Sequence, residues 1–210
     1  AVAAGVDAVD GALDSMSGLT SQPSLNTIVA MLAGDPRDPK LDPQVLRELA
    51  DYFEGVRRFY SPFESEIRSG TADVYHHEMP GGQYTNLREQ ARAIGLEHRW
   101  PEVSKAYAEV NRLFGDIVKV TPTSKVVGDM AIMMVANDLT AEDVADPARE
   151  VAFPESVVSL FRGELGFPPD GFPEALGRKV LKDTPPAPYR PGDRIPPADM
   201  DAMRAQAEKE

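Results

Sequence analysis
Hydroxyl, lysine and carboxamide side chains are concentrated at two places along this sequence. The first is Val120–Thr121–Pro122–Thr123–Ser124–Lys125. The strand-like run Asp116–Ile117–Val118–Lys119–Val120 leads into Thr121, and Pro122 suits the first position of a helix expected over 122–136. Thr121 is then an N-cap candidate. Hydroxyls and a lysine gathered at a helix N-terminus make a local site for an anionic or enolate oxygen. An ordinary capped helix with an exposed lysine fits the same spacing equally well.

The second place is Pro80–Gly81–Gly82–Gln83–Tyr84–Thr85–Asn86. It reads as a glycine loop opening a helix near Leu87. Two glycines allow positive φ and close approach of backbone to a ligand. Gln83 offers one donor group and one acceptor, which suits an amide or urea. A tight turn with Thr85 or Asn86 as helix cap competes with that reading, and on spacing alone it is the better fit.

His76–His77–Glu78 is the third cluster. Adjacent histidines on an extended chain point to opposite sides, and Pro80 blocks the helix that a zinc-binding His pair would need. A packed or hydrogen-bonded histidine is expected here rather than a metal ligand. His98 stands apart from both. The run Met130–Ala131–Ile132–Met133–Met134–Val135 reads as core. Neither GxGxxG nor a Walker pattern is present, so no nucleotide site is indicated.

Most of the chain has helical spacing. Asp42 and Pro43 form a cap and first turn for a helix carrying Val45, Leu46, Leu49, Phe53, Val56 and Tyr60. Further helices are expected at 25–32, 86–94, 101–114, 122–136, 141–146, 155–162 and 173–181. Short extended pieces are expected at 6–10, 74–78 and 117–120. Ala1–Ala4 reads as the last turn of a helix with Gly5 as its C-cap, and a strand follows at once, as though a domain were cut in the middle. The stretch Thr184–Pro185–Pro186–Ala187–Pro188–Tyr189–Arg190–Pro191 should be extended and polyproline-like, and residues 199–210 helical. No internal repeat is found.

The 210 residues are 42% hydrophobic, enough for one sizeable core or two small ones. A formal charge of −12 with no basic stripe argues against nucleic acid and anionic membrane as partners, while leaving room for a locally positive site. No apolar run reaches the roughly 18 residues of a membrane span, and no signal peptide is recognisable. Cysteine is absent, which excludes disulfides and thiolate metal sites and permits a reducing cytosol.

Four long motifs, in this order, resemble the carboxyltransferase domain of the pyruvate carboxylase family: VDAVDGALDSMSGLTSQPS, VYHHEMPGGQYTNL, FGDIVKVTPTSKVVGDMA and FPESVVSLFRGELGFPPDGFPEAL. The resemblance runs from residue 5 to about residue 200. The pyruvate-binding subunit of transcarboxylase and the α-subunit of oxaloacetate decarboxylase share much of it. YFEGVRRFYSPFES and the RPG tail favour pyruvate carboxylase over these two.

The resemblance implies a mainly α fold, with the last βα unit of a TIM barrel followed by a helical funnel. Residues 1–34 would be the terminal βα unit, 35–183 the funnel over the barrel mouth, and 184–210 a proline-rich linker and the start of a further helix. It implies that Thr121 relays a proton between biotin and the pyruvate methyl group, and that Gln83, Ser124 and Lys125 line the biotin pocket. Biotin would arrive on a separate carrier domain. A divalent metal such as zinc or manganese would be held by an aspartate, a carbamylated lysine and a His-x-His pair upstream, none of which is in this sequence. The implied partners are the biotin carboxyl carrier domain, pyruvate or oxaloacetate, the rest of the barrel and further copies in a homotetramer, all in the cytoplasm. The chain alone is expected to be inert. A non-catalytic helical scaffold is the reading from a different class, and the intact Thr121, Gln83, Ser124 and Lys125 speak against it.

Overall fold
The computed structural model describes residues 1–182, 184–189 and 191–209. The expected domain ends at 183 and 210, and Arg190 of the proline-rich run, lie outside the described residues. Two compact units divide the chain, residues 1–108 and 109–210.

In the first unit, a 3-10 turn at Val2–Ala4 closes on Gly5, whose φ of 95° supplies the left-handed cap expected there. Residues 6–10 are not a strand. An extended segment becomes one only with a ladder partner, and here only Ala12 finds one, in an isolated parallel bridge to Ser24. Ala12 donates to Pro23 O (2.9 Å) and accepts from Leu25 N (2.7 Å). Ser24 caps α1 (Leu25–Leu32) by accepting from Thr27 N. Helix α2 (Pro43–Tyr60) begins as expected, with Asp42 accepting from Gln44 N at 2.8 Å and Pro43 in the first turn. Its last turns are tied down by Arg57, which donates to Ser15 O (2.7 Å) and pairs with Glu64 (2.6 Å).

The expectation of an extended piece at 74–78 is overturned, because Val74–His77 is one helical turn, α3. Val74 and Tyr75 favour strands by propensity, but tertiary burial decides. His77 and Met79 are buried, and His77 Nδ1 accepts from Met79 N at 2.9 Å, which holds the chain in a tight turn through Glu78 at φ 58°. The next helix also differs from expectation. α4 (Gly81–Ala93) starts at Gly81, not near Leu87, with Pro80 before it. Gln83, Tyr84, Leu87 and Ala91 form its buried stripe. Trp100 meets the Tyr84 ring edge-on at 5.1 Å. It opens α5 (Trp100–Leu113), which buries Val103, Ala106, Tyr107 and Val110 at helical spacing.

The second unit is built on α6 (Thr123–Ala136), with Val127, Met130, Ala131 and Met134 almost wholly inaccessible. The methionine-rich run is core, as its spacing indicated. α6 packs on α8 (Glu155–Arg162), and α8 on α9 (Glu174–Leu181). Phe161 stacks on Phe172 at 4.5 Å and meets Phe114 edge-on at 5.2 Å. The short α7 (Ala141–Ala145) carries a full capping box between Thr140 and Asp143, and Lys179 Nζ caps its other end by donating to Val144 O and Asp146 O at 2.7 Å. Residues 184–187 have no regular secondary structure and 188–189 form a bend, with Ala187 N donating to Arg162 O. α10 (Met200–Ala207) follows, capped by Asp199. Residues 117–120 are irregular rather than paired. Among the described residues there is no β-strand, and no helix is long and apolar enough to cross a membrane.

Candidate functional site
The start of α6 brings Thr121, Ser124 and Lys125 onto one turn, in the second unit. Thr121 is not its N-cap, contrary to the sequence expectation. Helix α6 begins one residue beyond Pro122, and Thr123 makes the local bonds instead. The Thr123 hydroxyl lies 2.6 Å from Val118 O and 2.5 Å from Val120 O, and it accepts from Val120 N at 3.2 Å. The hydroxyl has one proton for these two carbonyls, and through them it clamps the run that leads to Thr121. The Thr121–Pro122 peptide is cis. Thr121 itself is exposed, and its hydroxyl takes no part in these bonds. Relieved of capping, it stands at the surface beside the helix start.

Ser124 is buried on the same turn, with its backbone N–H donating to Val120 O. Lys125 extends its amine to Asp129, with Nζ 2.8 and 3.0 Å from the two carboxylate oxygens. Asp129 in turn accepts from Ser156 Oγ at 2.7 Å, in the first turn of α8. Sequence reasoning named neither Asp129 nor Ser156. The four-residue step from Lys125 to Asp129 on one helix face was the signal available for the first; nothing in the sequence pointed to the second.

Gln83 lies in the first unit, in the first turn of α4. Its side chain is 8% exposed, and its Nε2 has no hydrogen-bond partner among the described residues. The backbone geometry that sets it there is unusually tight. A Cβ on Gly81 would sit 2.1 Å from the carbonyl oxygen of Thr20, so only glycine lets the helix start this close to the 15–21 loop. The Thr20 and Thr85 hydroxyls meet at 2.8 Å and fasten the same contact. Thr85 therefore serves that contact rather than a helix cap.

His77 is 6% exposed and tilted against Tyr84, ring centres 4.9 Å apart. Burial pushes its pKa below the ordinary histidine value, with nearby Asp73 opposing and His76 adding to the shift. With Nδ1 accepting from Met79 N, the neutral ring carries its proton on Nε2. A cavity of about 230 Å³ lies beside it, lined by Thr20, Ser21, Thr71, His77 and Tyr84 among others. The hydrogen-bonded role expected for a histidine of this cluster is thus filled by His77. No group of three or more His, Cys, Asp or Glu side chains among the described residues could hold a metal ion.

Residues 74–210 match the family described as conserved carboxylase domain. The chain belongs to that family. Relatives that match it include pyruvate carboxylases, in agreement with the four motifs. It is 49% identical over 206 residues to pyruvate carboxylase of Bacillus subtilis, covering 98% of this chain and 18% of that protein. Against the Schizosaccharomyces pombe enzyme, identity is 53% over 205 residues, covering 97% of this chain and 17% of the relative. Among solved structures, it superposes on the carboxyl transferase domain of Rhizobium etli pyruvate carboxylase with pyruvate and biocytin at a TM-score of 0.87 and 59% identity, covering 99% of this chain and 35% of that one. The complete multifunctional Rhizobium etli enzyme gives 0.88 and 59% identity, with 99% of this chain and 20% of that one covered. The chain spans less than a fifth of the length of these curated relatives.

Proposed function
We propose that this chain is the C-terminal part of a carboxyltransferase domain which, within a complete biotin-dependent enzyme, moves a carboxyl group from carboxybiotin to pyruvate and yields oxaloacetate. The observation that carries this reading is the buried, partnerless Nε2 of Gln83. A buried donor left without an acceptor costs about 1–3 kcal/mol, and a ligand that brings the acceptor removes that cost. A ureido carbonyl is such an acceptor, planar and strong. The solved Rhizobium etli domain that this chain matches at 59% identity was obtained with pyruvate and biocytin.

The remaining assignments follow the same chemistry. Biotin, delivered on a separate carrier domain, supplies the carboxyl group to be moved. Gln83 Nε2 is assigned as donor to its ureido oxygen, and the family resemblance assigns Ser124 and Lys125 to biotin binding as well. Thr121 Oγ1 relays a proton between biotin and the methyl carbon of pyruvate. A hydroxyl is a poor base in water, and it serves as a relay because it donates and accepts through one atom when held in line with both partners. The exposed, uncommitted position of Thr121 suits that role better than a helix cap would. A divalent metal, zinc or manganese, would be held by ligands outside this chain.

The assigned architecture is a terminal barrel βα unit over 1–34, a funnel over 35–183 and a linker with a further helix over 184–210. The assigned partners are the carrier domain, pyruvate or oxaloacetate, the rest of the barrel and further copies of the enzyme, in the cytoplasm. Pyruvate carboxylase is preferred over oxaloacetate decarboxylase and transcarboxylase because the relatives named above are pyruvate carboxylases.

Gln83→Leu in the complete enzyme tests the reading, since it keeps the volume and removes the donor. Biotin-stimulated oxaloacetate decarboxylation should lose about tenfold or more in kcat/KM for free biotin. ATP-dependent biotin carboxylation should continue, and the variant should melt no lower, because a buried unsatisfied amide has been removed. An unchanged kcat/KM for biotin overturns the assignment.

A further inference from the structure
The ion pair at the start of α6 runs in the less favourable order for a helix stabiliser. Lysine precedes aspartate by one turn, whereas the order favoured on isolated helices places the acid first. Lys125 stands in the first turn of α6, where the helix dipole disfavours a cation, and that turn holds no acidic residue. Left alone, a four-carbon stem there would swing its ammonium into solvent. Asp129 prevents this. Its side chain leans toward the helix N-terminus, as side chains on a helix do, and takes the Lys125 amine on both carboxylate oxygens at 2.8 and 3.0 Å.

Asp129 is itself held. Its side chain is 20% exposed, against 58% for Lys125, and Ser156 Oγ donates to the same carboxylate from α8 at 2.7 Å. The chain of contacts thus runs from a packed helix through a fixed carboxylate to an exposed ammonium. An ammonium has three donors. The carboxylate can occupy two, and the third remains for a ligand.

We propose that Asp129, fixed by Ser156, is a positioning residue that holds the Lys125 ammonium ready for the biotin ligand. This rests on the assignment of Lys125 to that ligand. The entropy of immobilising the lysine side chain is then lost at folding rather than at binding, a difference of about three- to tenfold in affinity for one rotamer-rich side chain.

The experiment uses the complete enzyme and free biotin as probe, in biotin-stimulated oxaloacetate decarboxylation. Asp129→Asn keeps the shape and removes the charge. It should raise the KM for biotin about three- to tenfold while the KM for oxaloacetate stays put. Asp129→Glu, which restores a carboxylate, should recover part of the loss. Ser156→Ala should give a smaller rise of the same kind, and it keeps the test alive if the Asp129 variants fold poorly. In Lys125→Met, the further change Asp129→Asn should add nothing. If Lys125→Met raises the KM for biotin and the Asp129 and Ser156 variants do not, the positioning role is overturned while the Lys125 assignment stands. If Lys125→Met leaves that KM unchanged, both fall. Equal rises in the two KM values with a lowered melting temperature make Asp129 structural only and overturn the proposal.

Discussion
The two helix starts that carry the candidate residues are built in opposite ways. At α4 the constraint is steric: Gly81 lies so close to Thr20 O that no side chain fits between, and Gln83 is buried with an unsatisfied amide. At α6 the constraint is polar. Thr123 binds the incoming chain through its hydroxyl, Lys125 is paired with Asp129, and Thr121 is left exposed. The difference teaches how a site can be recognised without its ligand. A buried donor without an acceptor calls for an explanation, and a ligand is one. A cluster whose polar groups are either paired or open to solvent gives no such sign, and its role has to be carried by chemistry and family resemblance.

The largest effect should come from the polar start. In the complete enzyme, Thr121→Ala should lower carboxyl transfer by about 10²–10⁴-fold, the usual worth of a positioned proton-transfer group. ATP-dependent biotin carboxylation should continue. Thr121→Ser keeps the hydroxyl and loses the β-branch that restricts its rotamers, so it should retain part of the rate. Because Thr121 does not cap α6, the alanine variant should melt with the parent. Near-parental transfer by Thr121→Ala would leave the α6 start without its catalytic role.

The steric start should answer to a methyl group. Gly81→Ala forces a Cβ against a backbone oxygen, where no flexible side chain can give way, and should cost about 1–3 kcal/mol. In a domain of this size that lowers the melting temperature by roughly 2–4 °C per kcal/mol. Gly82→Ala is the control, because nothing lies within 4 Å of its Cβ position. It should leave the melt unchanged or raise it slightly, alanine being the better helix former. Equal melts for the two variants would remove the close contact as the reason α4 begins where it does.

These two starts also show what was legible in the sequence. The body of each helix was, because burial at i, i+3, i+4 and i+7 writes itself into residue type: Val103, Ala106, Tyr107 and Val110 in α5, or Val127, Met130, Ala131 and Met134 in α6. Asp42 and Pro43 were legible for the same reason, since capping is local chemistry. The first turn of α4 was not. Two glycines read as a loop, and the partner that makes Gly81 part of a helix, Thr20 O, is distant in sequence. Nor was α3, where strand-forming residues are overruled by the burial of His77 and Met79. The candidate residues themselves were found by type, but their surroundings were not. Capping passes to Thr123, and Ser156 reaches Asp129 from another helix, so neither could be inferred from spacing.

The smallest expected effect belongs to His77, and it sharpens the view that burial governs the α3–α4 region. Its folded-state pKa lies below the ordinary value, first because burial disfavours the charged ring, with Asp73 pulling the other way. The unfolded chain should titrate near the ordinary value of about 6.5. Between the lowered folded pKa and that value, the unfolded state binds more protons, so stability rises with pH. The contribution is fully present above about pH 6.5 and is lost as pH falls toward the folded pKa. Nδ1 is already committed as acceptor to Met79 N at 2.9 Å, so protonation also breaks the bond that holds the turn after α3. Urea midpoints at about pH 7.5 and pH 5.5 should therefore differ more for the parent than for His77→Gln, after the carboxylate background common to both is subtracted. If His77→Gln shows the same pH response as the parent, the buried ring is not what couples this region to pH.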